Sequence, residues 1–88
     1  MKIAFRNVFF RDLKKLRDLS LVEDVQKVIG QVKIDTSPQE IKGLKKLSGT
    51  VDAYRIRVGD HRIGVYIRQE TVVIVRCLHR RDFYRFFP

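Results

Sequence analysis

The spacing of apolar residues changes near residue 53, and this change constrains the fold more than any other feature of the sequence. Before it, apolar residues recur three or four positions apart, which is the spacing of a helix with one buried face. After it, in the stretch YRIRVGDHRIGVYI of residues 54–67, they alternate with polar residues. Strict alternation is typical of a half-buried β-strand, and the Gly59-Asp60 pair between the two runs predicts a hairpin turn.

The N-terminal part of the chain is predicted to hold one strand and two helices. Residues 2–6 alternate as a short strand does, and an amphipathic helix follows from Val8. A second helix is expected to start at Leu21, because Ser20 and Glu23 have the spacing of a capping box. The short interval between the two helices predicts an antiparallel pair.

The remaining segments are assigned from their composition. Residues 37–40 (SPQE) predict one helical turn with proline at its first position, and residues 43–49 (GLKKLSG) predict a surface loop. Residues 71–78 form a nearly continuous apolar run, which indicates a central strand. The tail, residues 79–88, is expected to be a helical turn or an extended flap. Its phenylalanines are expected to fill the core: Phe83, Phe86 and Phe87.

The predicted order is therefore β-α-α-β-β-β, a two-layer α+β fold with the helix pair on one face of an antiparallel sheet. The 88 residues suit one domain, 1–88, with a single core. No apolar run approaches the length of a membrane span, and the N-terminus lacks the pattern of a signal peptide, so a cytoplasmic protein is expected. A single cysteine, Cys77, excludes an internal disulfide and a zinc cluster; it is expected to be a small buried hydrophobe. No cofactor is expected.

Positive charge is concentrated in the second part of the chain. The formal net charge is +9 and the sequence pI is about 10.2. Residues 1–53 contain eight Lys, three Arg and seven acids, whereas residues 54–88 contain eight Arg, no Lys and three acids. A planar guanidinium matches phosphate oxygens in pairs, while a lysine acts as a point charge. The composition therefore favours a polyanionic partner.

Strand alternation places three of these arginines on the water-facing side of the hairpin: Arg55, Arg57 and Arg62. Neighbouring side chains across an antiparallel pair lie roughly 5 Å apart, so the cations repel one another unless an anion bridges them. Two interpretations remain open at this point, a solvated sheet face and a binding site for an anion.

The tail adds residues that can move protons or stack on bases. His79 and Tyr84 follow the last strand, with Arg80 and Arg81 between them. Histidine suits proton transfer near neutral pH, and arginine does not, because its pKa exceeds about 12. His61, in the hairpin turn, is expected to be a surface residue.

The segments LKKLSG, YRIRVGDHRIGVY and VVIVRCLHRRDFYR resemble the RelE/ParE superfamily of toxins from bacterial type II toxin–antitoxin systems, over nearly the whole chain. In the RelE branch this resemblance implies a metal-independent endoribonuclease that cuts messenger RNA in the ribosomal A site. The ribose 2′-OH attacks the adjacent phosphate and leaves a 2′,3′-cyclic phosphate and a 5′-OH. The implied catalytic residues are Arg62, His79, Arg80 and Tyr84, and the implied phosphate-binding residues are Arg55, Arg57, Lys45, Lys46 and Arg81.

The resemblance leaves a rival branch open. Some relatives carry lysines at the positions of Arg55 and Arg57, and since arginine cannot act as a base, proton transfer would fall to His79 or Tyr84. The ParE branch implies inhibition of DNA gyrase without a nucleolytic site. The arginine trio and the His-Arg…Tyr tail favour the ribonuclease. Both branches imply a cognate acidic antitoxin, partly disordered, that wraps the basic surface. A plain RNA- or DNA-binding module is the third possibility, and it has no use for His79.

Overall fold

The sheet has five strands and carries helices on both faces. The computed structural model describes residues 1–88 in full. In chain order the elements are β1 (Lys2–Phe5), α1 (Asn7–Lys15), α2 (Leu19–Ile34), a 3₁₀ turn (Pro38–Glu40), β2 (Leu44–Lys46), β3 (Ala53–Val58), β4 (His61–Arg68), β5 (Thr71–His79) and α3 (Phe83–Phe86). The strand order is β1-β5-β4-β3-β2. The α+β class, the helix pair and the meander are confirmed. None of the helices has the combination of length and apolar character that crossing a bilayer requires.

Two features of the sheet differ from the expectation. Leu44–Lys46, expected within a loop, is the edge strand β2 and pairs antiparallel with β3. A strand of three residues with two adjacent lysines is too short for its alternation to show in the sequence. In addition, β1 pairs parallel with β5, with Lys2 opposite Thr71, so the sheet is mixed rather than wholly antiparallel.

Helix α2 begins two residues earlier than the capping box predicts. The N-cap is Asp18, whose Oδ1 accepts hydrogen bonds from the backbone N–H groups of Ser20 at 2.9 Å and Leu21 at 3.3 Å. An aspartate at this position satisfies N–H groups that have no partner inside the helix. The prediction of Ser20 as the cap is therefore wrong, although the helix itself is confirmed.

The main core lies between the sheet and the helix pair. Its buried members are Phe9, Val25, Val32, Ile41, Ile56, Val58, Ile63, Val65, Ile67, Val72, Ile74 and Cys77. The alternate apolar residues of the hairpin all point into this core, as predicted. Burial raises the pKa of the Cys77 thiol to about 12, so this side chain acts as a small hydrophobe.

A second, smaller core lies on the opposite face of the sheet. It contains Leu47, Ala53, Phe83 and Phe87, so the C-terminal segment covers one end of that face. The prediction that phenylalanines of the tail fill the core is confirmed for Phe83 and Phe87. It is wrong for Phe86, which is 51% exposed and has the guanidinium carbon of Arg76 5.6 Å from its ring centroid.

A β-bulge in β5 reverses the facing of its last residues. Gly64 pairs with Arg76 and Val65 with Ile74, which leaves Val75 as an extra residue. Before the bulge Ile74 faces the helices, and after it Cys77 does. Without the extra residue, Arg76 would take the inward position and Cys77 would point to the opposite face.

Helix α1 closes the edge of β5 that β1 leaves open. Because β1 ends at Phe5, opposite Ile74, the later residues of β5 have no neighbouring strand on that side. Asp12, on α1 and only 4% exposed, takes the place of the missing strand. Its Oδ2 accepts hydrogen bonds from the backbone N–H of Cys77 at 2.9 Å and from Arg76 Nε at 2.8 Å, and its Oδ1 accepts one from Arg76 Nη2 at 3.0 Å.

Candidate functional site

The hairpin of β3 and β4 places arginines directly beside one another. Arg57 lies opposite Arg62 in the strand register, and Arg55 lies opposite Gly64. Residues opposed in this way point to the same face, here the face away from the main core. Arg57 is exposed, while Arg55 and Arg62 are half-buried. The three ion pairs of the protein involve Arg68, Arg76 and Arg80. The guanidinium groups of Arg55, Arg57 and Arg62 therefore have no carboxylate partner.

The fork of Arg62 is held in place by the hairpin turn. Its Nη1 donates hydrogen bonds to the carbonyl oxygens of Gly59 at 3.0 Å and His61 at 2.9 Å. Gly59 turns the chain with a φ of 59°, a conformation that favours glycine. The Nε and Nη2 groups of Arg62 have no protein acceptor. A guanidinium fixed on one side and free on the other is preorganised to donate to an incoming oxyanion.

Neighbouring cations act on Arg62. Its pKa is lowered, first by partial burial and then by the charges of Arg57, Arg55 and Arg80, while Tyr84 acts in the opposite sense. The arginine still carries its charge at neutral pH. We call Arg55, Arg57, Arg62 and Arg80 the arginine cluster. Only Arg80 has a carboxylate partner, Asp60, and the other three guanidinium groups have none, so a bound phosphate would relieve their repulsion.

Two further predicted residues border the arginine cluster. Lys45 lies opposite Arg55 in the strand register and therefore shares its face. Tyr84, on α3, is 68% exposed and lines a groove together with Lys45. Arg80, the member of the arginine cluster that follows β5, is held at the hairpin turn: its backbone N–H donates to the carbonyl of Asp60 at 2.8 Å, and its Nε lies 4.0 Å from Asp60 Oδ1.

The structure does not bring His79 to the arginine cluster. His79 lies opposite His61 in the register, and the two ring centroids are 5.3 Å apart. Both rings lie on the helix side, where they border a hollow with Asp18, Leu21 and Asp24. The bulge at Val75 is the reason, because it reverses the facing of the residues that follow it.

One histidine of this pair accepts a hydrogen bond, and the other is more buried than expected. His79 Nδ1 accepts a hydrogen bond from the backbone N–H of Arg81 at 3.1 Å. His61, expected on the surface, is half-buried. Its pKa is lowered, first by burial and next by the charge of His79, so the neutral ring is favoured.

Two of the predicted phosphate-binding residues lie at the margin of the site. Lys46 lies opposite Tyr54, so the register points it to the helix side; it borders a groove on each face of the edge strand. Arg81 is exposed in the turn after β5. Sequence reasoning did not single out Gly64, although a glycine inside a strand often marks a close approach of another group. No group of three or more His, Cys, Asp and Glu side chains is arranged to hold a metal ion.

Comparison with known proteins gives consistent similarities. The family model described as "ParE toxin of type II toxin-antitoxin system, parDE" matches residues 3–84. The chain is 34% identical to Toxin RelE3 of Methanocaldococcus jannaschii over 89 residues, which cover 100% of both proteins.

Solved structures share the fold. The crystal structure of the RelB-RelE antitoxin-toxin complex from Methanococcus jannaschii matches with a TM-score of 0.82 and 30% identity, over 97% of this chain and 99% of that one. The archaeal RelE-RelB complex from Pyrococcus horikoshii matches with a TM-score of 0.72 and 20% identity, over 90% and 93% of the two chains.

Proposed function

The chain belongs to the RelE/ParE family of type II toxin–antitoxin toxins, and we propose that it is a metal-independent endoribonuclease that cuts messenger RNA at the arginine cluster. The observation that carries the proposal is the cross-strand pair of Arg57 and Arg62, which has no carboxylate partner and lies on an open face of the sheet. Similarity to Toxin RelE3 over the whole chain supports the same branch.

The proposed reaction is transfer of the phosphate within the RNA strand. The 2′-oxygen of one ribose attacks the adjacent phosphorus, and the bond from phosphorus to the 5′-oxygen breaks. The 2′-hydroxyl loses a proton and the departing 5′-oxygen gains one, which gives a 2′,3′-cyclic phosphate and a 5′-OH. The pentacoordinate intermediate carries more negative charge than the substrate, so preorganised guanidinium groups stabilise it more strongly than the ground state.

Each residue has a distinct role in this proposal. The free side of Arg62 faces the charge that develops in the reaction, with Arg80 beside it. Arg55, Arg57 and Lys45 hold the backbone phosphates on either side. Tyr84 serves proton transfer, because arginine cannot act as a base and His79 lies on the other side of the sheet.

Mapping of RNA ends tests the reaction. After induced expression, primer extension is expected to find new 5′ ends inside codons, and a 2′,3′-cyclic phosphate on the upstream fragments. The same purified message, incubated with and without ribosomes, decides whether translation is required. Intact messages throughout would contradict the ribonuclease.

Tyr84 gives a prediction that separates proton transfer from stacking. Tyr84→Phe keeps a ring that can stack on a base and loses the hydroxyl, whereas Tyr84→Ala loses both. We expect both variants to lose cleavage and growth inhibition by roughly 10²-fold or more, as removal of a general acid or base does. Tyr54→Phe, on the other face of the sheet, is the matched control. Full activity of Tyr84→Phe would show that stacking is the role.

A DNA gyrase inhibitor is the second candidate, and two observations favour it. The family model that matches is described as a ParE toxin, and a gyrase inhibitor has no need of the histidine that the structure keeps away from the arginine cluster. This candidate predicts intact messages, together with broken or relaxed DNA after induction. The same cultures therefore distinguish the two activities.

An antitoxin is the proposed protein partner. Relatives of known structure form complexes with the antitoxin RelB. For this chain, with its net charge of +9, we expect an acidic and partly disordered antitoxin that wraps the basic sheet and helices. Such a partner would compete with RNA for the arginine cluster, so added antitoxin should displace bound RNA.

Salt dependence tests phosphate recognition directly. RNA affinity is expected to fall steeply with salt, with a slope of log K against log salt of about −2 to −3, because about 0.7 counterions are released per phosphate contact on a single strand. Arg57→Ala should reduce that slope by about 0.7. Arg68→Ala, whose guanidinium is paired with Asp52, should leave it nearly unchanged. A slope near zero would contradict phosphate recognition.

A further inference from the structure

The ring of Phe87, near the end of the chain, packs directly on Gly64 in the middle of β4. A Cβ atom at this position would lie 2.7, 2.8 and 2.9 Å from Cγ, Cδ2 and Cδ1 of Phe87. These distances are shorter than two carbons tolerate, and the atoms belong to the rigid base of a ring that is 2% exposed. A side chain at position 64 would therefore expel Phe87.

The ring of Phe87 fastens α3 to the sheet. Its centroid lies 5.4 Å from that of Phe83 and 5.3 Å from that of Tyr66, which belongs to the same strand as Gly64. A single helical turn such as Phe83–Phe86 has little stability of its own, so contacts with the sheet determine its position. Phe83 at its first residue and Phe87 just after its last are the buried residues of this segment.

The position of Tyr84 depends on the packing of Phe83 and Phe87, because Tyr84 makes few contacts of its own. Its ring meets Phe83 edge-on at 5.1 Å and is otherwise largely exposed. Tyr84 lies on the arginine face of the sheet, because it lines a groove with Lys45, which shares that face with its register partner Arg55. Arg62 and Gly64 are two residues apart and point to the same face of β4. One short stretch of β4 thus carries Arg62 and also Gly64, on which the ring of Phe87 packs.

We infer that Gly64 and Phe87 are positioning residues for the nuclease site: the ring of Phe87, packed on Gly64, holds Tyr84 at the arginine face of the sheet. This inference rests on the proposed function for its catalytic part. Its structural part, that Gly64 determines the place of Tyr84, stands independently of any activity.

Kinetics on Gly64→Ala test the catalytic part. Displacing a catalytic group by about 1 Å can cost on the order of 10²-fold, so we expect the single-turnover cleavage rate to fall at least tenfold. RNA affinity should change less than about twofold, since the arginine cluster supplies the phosphate contacts. Phe87→Ala should reproduce the loss, and Gly64→Ala should cost nothing further in that background. Neither change should matter in Tyr84→Ala. Equal cost of Gly64→Ala in the presence and absence of Phe87 would overturn the inference.

Fluorine NMR tests the structural part without activity. The chain has three tyrosines, Tyr54, Tyr66 and Tyr84, and labelling with 3-fluorotyrosine gives one resonance for each. In Gly64→Ala we expect the resonances of Tyr66, against Phe87, and Tyr84 to shift, and that of Tyr54, packed against the main core, to stay. Tyr54 also reports whether the variant is folded. If it is not, Phe87→Ala takes its place with the same expected shifts.

The outcomes separate the two hypotheses. An unmoved Tyr84 resonance in a folded variant overturns the inference, and so does a shifted resonance with undiminished cleavage. If the parent protein cuts no RNA, the proposed function fails, and a shift of Tyr84 still supports Gly64 as the residue that sets its place.

Discussion

Arg62→Ala is expected to lower the rate of RNA cleavage by about 10²–10³-fold and to abolish growth inhibition, with the fold intact. This is the usual cost of removing one preorganised donor to a developing oxyanion. Arg62 combines a fork fixed by two carbonyl groups with free N–H groups on the open face. Its pKa is lowered by partial burial and then by the neighbouring arginines, and removing it relieves both costs, so the free energy of unfolding should change little. Single-turnover cleavage, growth after induction and circular dichroism measure the three effects.

The chain supplies matched controls for this variant. Arg68→Ala removes the same charge from the same face of β4, but Arg68 is paired with Asp52 and lies at the far end of the strand. Its cleavage rate should stay close to that of the parent. Arg62→Lys should fall between the two, because an ammonium keeps the charge and loses the planar fork. Equal rates for Arg62→Ala and Arg68→Ala would show that the reaction does not use the arginine cluster.

The second large effect is expected on stability, from Asp12→Ala. The change leaves the Arg76 guanidinium without its partner and the backbone N–H of Cys77 without an acceptor at the edge of the sheet. Removing one partner of a buried, hydrogen-bonded ion pair typically costs about 3–5 kcal/mol. For a domain of this size, that lowers Tm by roughly 12–40 °C. Thermal and urea unfolding followed by circular dichroism measure it.

Another carboxylate provides the comparison for Asp12. Asp52→Ala removes the partner of Arg68, which is an ion pair in contact with solvent. Exposed pairs contribute little, so this variant should unfold close to the parent. Asp12→Asn should be intermediate, since an amide oxygen can still accept from Cys77. Coincident unfolding of Asp12→Ala and Asp52→Ala would show that Asp12 does not secure the edge of β5.

Periodicity was sufficient to predict the fold class and the hairpin. A face buried against helices forces alternation along β3 and β4, so the sequence places Ile56 and Ile63 inside and Arg57 and Arg62 outside. The same argument predicts the open arginine face, which the structure confirms. A strand of three residues with two adjacent lysines is too short to show such a pattern, so β2 could not be predicted.

The face of the sheet to which His79 points could not be predicted, because one extra residue in β5 determines it. Simple alternation along β5 from Ile74 would carry His79 to the arginine face, and the bulge at Val75 carries it to the other. Nothing in the nearly continuous apolar run of residues 71–78 marks which residue bulges. The role of Asp12 could not be predicted for a related reason: its partners, Arg76 and Cys77, are far away in sequence. From the sequence alone, a single acid on a basic helix is expected to face solvent.

The parallel pairing of β1 with β5 has a consequence for the order of events during synthesis. The first strand to leave the ribosome has no neighbour until the last strand has been translated, because Lys2–Phe5 pairs with Thr71–Ile74. Strands β2, β3 and β4 each pair with the next strand made, and such local contacts form early. A nascent chain therefore carries the whole arginine hairpin before the first strand can join the sheet.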